Sequence, residues 1–146
     1  MSDRSYFQLH IYGFERVEDL PWAVEELITS ELGLDLEWVR RKDIRFVAEE
    51  MGLGAYEEIG EQLIGVDPRL MFQCWNDPKY EYMGGLFRYT PHLGRFQHDS
   101  DSRGSPMFSA EEVMAIVSSG SDLESLLGLP WVQAFKPFQG AYTEAP

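Results

Sequence analysis

The hydrophobic positions of this chain change period several times, and each change marks an element. Tyr6-Phe7-Gln8-Leu9-His10-Ile11-Tyr12 alternates, with Phe7, Leu9 and Ile11 on one side and Tyr6, His10 and Tyr12 on the other. That period of two, closed by Gly13, predicts a central strand. The spacing then lengthens. Val17, Leu20, Val24, Leu27, Ile28 and Leu32 recur every three or four residues, the stripe of an amphipathic helix over 17–32. Asp19 and Pro21 suit its first turn, and Gly33 follows as a C-cap. The opposite face carries Glu18, Glu25, Glu26 and Glu31 with no base among them.

Leu34–Val39 reads as a short strand, followed by the polar break Arg40–Asp43. Ile44–Met51 fits either period. A strand is favoured because Gly52-Leu53-Gly54 then joins it to a good helix at Ala55–Ile64, weakened by Gly60. Asp67-Pro68 ends that helix and opens the most aromatic part of the chain, Leu70–Phe96, with Phe72, Trp75, Tyr80, Tyr82, Phe87, Tyr89 and Phe96. Turn signals at Asp77-Pro78, Gly84-Gly85 and Thr90-Pro91 divide it into strands Leu70–Asn76, Gly85–Tyr89 and Arg95–Asp99. The last two form a hairpin closed by Pro91-His92-Leu93-Gly94.

Ser109, Glu112 and the Phe108/Val113 pair are a complete helix start, and the helix runs to Ser118-Ser119-Gly120. A short helix follows at Ser121–Leu127. From Pro137 to Pro146 no period remains, which predicts a loose tail. The order β-α-β-β-α-β-β-β-α-α predicts one α+β domain over residues 1–136. Its first six elements suit a ferredoxin-like sandwich, helices on one face of a mainly antiparallel sheet, extended by the aromatic hairpin. Val24, Leu27, Ile28, Phe72, Phe87, Val113 and Ile116 are the expected core.

Composition adds one strong feature. Acidic residues outnumber basic ones 25 to 12, for a net charge of −13. Such a chain repels nucleic acid and anionic lipid; its charge serves solubility or, in the sharper reading, is aimed at a basic partner. The single cysteine, Cys74, forbids an intrachain disulfide and a cysteine-rich zinc site. No apolar run is long enough to cross a membrane and no leader is legible, so a cytoplasmic location is expected.

Candidate chemistry is thin. Asp99-Ser100-Asp101-Ser102-Arg103-Gly104 begins like a calcium loop, but its fifth and twelfth positions are Arg103 and Ala110, neither a ligand. Gly52-Leu53-Gly54 lacks a third glycine, and Glu57 and Glu58 in the following turn would repel a phosphate. His10, His92 and His98 have no metal-ligand spacing. Cys74 shares a strand face with Phe72, which predicts a buried, inert thiol. No metal, cofactor or catalytic residue is therefore expected.

What remains is a binding surface. Tyr and Trp with Arg are the types enriched at interface hot spots. Trp75, Tyr80, Tyr82, Arg88 and Tyr89 are expected to supply the contact, and Glu18, Glu25 and Glu26 to steer it. The expected function is that of a non-enzymatic accessory or regulatory protein. Its texture is that of inhibitors encoded by phages and mobile elements against basic, nucleic-acid-binding host proteins. The alternative is a small-molecule binder or small enzyme with its site near the loop His98–Gly104.

Overall fold

β1, Arg4–Tyr12, is the strand on which the sheet is built. It pairs antiparallel with β2 (Phe46–Gly52) along one edge and with β3 (Met71–Asn76) along the other. β4 (Gly84–Thr90) and β5 (Gly94–Ser100) extend the β3 side as a hairpin, giving the order β2-β1-β3-β4-β5. The computed structural model describes residues 4–31, 46–79 and 82–143. Among them the protein is α+β, with this five-stranded antiparallel sheet and five α-helices. The expected strand Leu34–Val39 lies outside the described residues.

Register turns the alternation of each strand into rows that cross the sheet. Leu9, Cys74 and Phe87 stand opposite one another on the first face; His10, Gln73, Arg88 and Phe96 form the matching row on the second. The first face is a conventional core. α1 (Trp22–Glu31) lays Val24 and Ile28 on it, and α2 (Ala55–Val66) lays Ile59 and Leu63, all buried against Phe7, Leu9, Ile11, Phe72 and Phe87. Each such side chain contributes about 1.5–3 kcal/mol by leaving water.

Two details of that face depart from the periodic reading. The expected helix over 17–32 is a 3-10 turn at Val17–Asp19 followed by α1. Pro21 separates them, because it has no N–H to continue a helix; its carbonyl instead accepts from Val24 and Glu25 and starts α1. Leu27, expected in the core, is half-buried at its margin. Gly60, read as a weak point of α2, is where the helix backbone lies on the ring of Phe87. A Cβ there would fall 2.6 Å from that ring.

The second face holds the larger correction. Helices were expected on one side of the sheet, and α5 (Leu129–Thr143) covers the other. Trp131 and Phe135, one helical turn apart, bury themselves against Tyr12, Leu86 and Phe96. Pro137, expected to begin a loose tail, lies inside the helix, which continues to Thr143. Burial of the two rings before the proline anchors the segment, so one missing N–H does not end it. α3 (Ala110–Ser119) and α4 (Leu123–Leu126) connect β5 to α5 and bury none of their residues. Val113 and Ile116, expected as core, are only half-buried for that reason.

Candidate partner-binding surface

Among the described residues, the helices that follow β5 expose six large apolar side chains. α3 is defined by its ends. Ser109 Oγ accepts from the Glu112 N–H at 3.1 Å, and Glu112 Oε1 accepts from the Ser109 N–H at 2.9 Å, a complete capping box. Gly120 closes the helix in the left-handed conformation. One side chain ties its first turn to the sheet: His98 on β5 reaches Glu112 Oε2 through Nε2 at 3.0 Å and lies over the ring of Phe108. The Ser109 N–H, and then His98, hold the Glu112 carboxyl below its ordinary value.

Beyond that tether the apolar residues face solvent. Met114 is 61% exposed, Val117 53%, Leu126 45% and Leu129 43%, and Leu123 and Val132 are exposed as well. From Gly104 to Phe135 the chain carries Glu111, Glu112, Asp122 and Glu124 and no lysine, arginine or histidine. The segment therefore displays apolar side chains to solvent and carries acids but no base of its own. Sequence reasoning missed it, because Val113 and Ile116 were assigned inward. The signal available was the absence of any base across a segment rich in leucine, valine and methionine.

The residues singled out from sequence are dispersed. Trp75 and Arg88 are buried, each 5% exposed, so neither is a surface contact. The reason is α5 and the loop before α3, which close over them. Trp75 Nε1 donates to the Ser102 carbonyl at 3.3 Å. Arg88 donates to Gln73 Oε1 (3.3 Å), the Gly128 carbonyl (3.2 Å) and the Gly104 carbonyl (3.0 Å), and Gln73 donates onward to the Tyr12 hydroxyl (2.7 Å). The guanidinium is thus a knot joining sheet, loop and helix; burial lowers its pKa to about 10.

Tyr89 is half-buried, donating its hydroxyl to the Pro68 carbonyl at 2.8 Å. Tyr82 is exposed, and Tyr80 lies outside the described residues. Glu18 and Glu26 are exposed and Glu25 is half-buried. These acids belong to the segment packed on the first face, so the sheet stands between them and the Trp75–Arg88 cluster.

The groups with chemical potential are muted. Burial pushes the Cys74 thiol well above its ordinary value and lowers His10 to about 4, so at neutral pH the first is a thiol and the second is uncharged. Asp101 Oδ1 accepts from the N–H groups of Arg103 (2.8 Å) and Ser105 (2.9 Å), which makes the would-be calcium loop a self-contained turn. Among the described residues no three His, Cys, Asp or Glu side chains stand together as metal ligands, and no helix is long and apolar enough to cross a membrane. Compared with known proteins, the chain matches no family model, and no curated protein or solved structure matches it significantly.

Proposed function

We propose that this chain is a non-enzymatic accessory protein that acts by binding another protein, a basic one, through α3, α4 and the start of α5. The observation that carries the reading is the exposed set Met114, Val117, Leu123, Leu126, Leu129 and Val132 within a segment that has acids and no base. Large apolar side chains displayed on consecutive helices are the mark of an interface. A partner presenting an apolar patch ringed by lysine and arginine would bury them and meet Glu111, Asp122 and Glu124 at the rim. A second copy of a chain at −13 would meet like charge, which favours a different protein. The acids Glu18, Glu25 and Glu26 would add long-range steering, and Tyr82 a peripheral contact.

The same reading includes a ferredoxin-like core. β1 lies between β2 and β3, antiparallel to both, with α1 and α2 on one face, which is the arrangement that supports this reading. It also includes a cytoplasmic setting, with the partner a nucleic-acid-binding host protein of the kind phage and mobile-element inhibitors target. The net charge supports that choice of partner and disfavours direct contact with nucleic acid.

The test is affinity capture with the wild-type protein and with the double variant Met114→Glu/Leu126→Glu, identified by mass spectrometry and confirmed with the purified partner. A basic protein held by the wild type and lost from the variant supports the reading. Capture that is the same for both, or an exclusively acidic set of partners, overturns it.

A further inference from the structure

Between the start of β3, the β4–β5 turn and α5 lies a cleft of about 530 Å3. Its floor and walls are apolar: Met71 from β3, Pro91 and Leu93 from the turn, Pro130 and Ala134 from α5. The volume falls in the range of pockets that hold drug-sized molecules, about 300–1,000 Å3. It is built on rigid parts. Leu93 and Met71 pack against the second-face core, Trp131 Nε1 donates to the Gly94 carbonyl at 2.9 Å, and Thr90 Oγ1 accepts from the Leu93 N–H at 2.9 Å to fix the turn.

Charge decides what fits. No aspartate, glutamate, lysine or arginine lines this cleft, although the chain as a whole is strongly acidic. A cation buried there would find no counter-charge, and an anion none but the exposed His92 imidazole, so desolvating either would cost several kcal/mol. An anion would also be repelled by the −13 field. Two uncommitted polar groups, the His92 imidazole and the Gln133 amide, line the cleft and can hydrogen-bond one polar end.

From this we infer that the cleft is a binding site for a neutral, largely apolar small molecule with a single hydroxyl or carbonyl end. The apolar body lies along Met71, Leu93 and Ala134, and the polar end meets Gln133 and His92. The cleft adjoins the start of α5, where Leu129 and Val132 are exposed, but its chemistry does not depend on the protein-binding reading.

Three probes with one apolar body and different charge test it: 2-naphthol, 2-naphthoate and naphthylmethylammonium. Each is titrated into the full chain, followed by thermal shift and by NMR of the methyl groups. Saturable binding of the neutral probe is expected, raising Tm with concentration as a native-state ligand must. The two ions should bind at least about tenfold more weakly, the cost of an unpaired buried charge. Shifts should centre on the Met71, Leu93 and Ala134 methyls. Ala134→Phe fills the cleft and should abolish binding; Gln133→Ala, which removes only the polar contact, should weaken it several-fold without changing the far-UV spectrum. No saturable binding of the neutral probe overturns the inference. So do equal affinities for all three probes, or methyl shifts in the wild type that centre elsewhere.

Discussion

Arg88 Nη1 donates to the carbonyl of Gly128 at 3.2 Å, joining the middle of β4 to the turn that launches α5. Gly128 has φ +80° and no Cβ; a side chain there would fall 2.6 Å from the Phe96 ring, over which the guanidinium also lies. The contact thus requires both a donor of fixed geometry and a glycine. It makes the C-terminal helix part of the domain.

Replacing Arg88 with Met should leave the Gly104 and Gly128 carbonyls and the Gln73 amide without their donor. Each buried unsatisfied group costs about 1–3 kcal/mol, so a loss of about 3 kcal/mol or more is expected in urea unfolding. Arg88→Lys should not restore it, since an ammonium cannot reach three acceptors set out for a fork. Amide exchange in α5 should rise first.

Gly60→Ala is expected to destabilise the protein even though alanine is the better helix former. The propensity gain is about 1 kcal/mol at most. Against it, the new methyl meets Phe87 at 2.6 Å in a packed layer, and overpacking of this kind costs about 1–3 kcal/mol. A net fall in the denaturation midpoint checks the close approach of α2 to β4.

His10 makes stability depend on pH. Burial lowers its pKa from 6.5 to about 4, so between those values the unfolded chain takes up the proton and the folded chain does not. Its contribution is complete above pH 6.5 and is lost as the pH falls towards 4. Between pH 7 and pH 5 the loss is roughly 2 kcal/mol. His10→Gln should remove that part of the dependence, measured as the difference in unfolding free energy between the two pH values.

Ser109→Ala should cost about 1 kcal/mol, the usual value of an N-cap. Because α3 buries none of its residues, the loss should show as faster amide exchange over 110–119 with little change in the global midpoint. Equal destabilisation of sheet and helix would mean that α3 belongs to the cooperative core.

Much of this molecule follows from sequence alone, since local chemistry dictates it. The alternation in β1, the stripe of Val24 and Ile28, the burial of Phe72 and Phe87, the hairpin turn and the capping box all depend on near neighbours. The net charge of −13 is also a property of composition. What the sequence could not decide is which side of the sheet a later segment covers. Trp75 and Arg88 have the residue types of an exposed hot spot, and they are buried because Trp131 and Phe135, more than forty residues further on, return to lie over that face. The same return leaves α3 and α4 outside the core, with Met114, Val117 and Leu126 in solvent. Periodicity finds the apolar face of an element; whether another element arrives to cover it depends on long-range packing, which only the tertiary structure records.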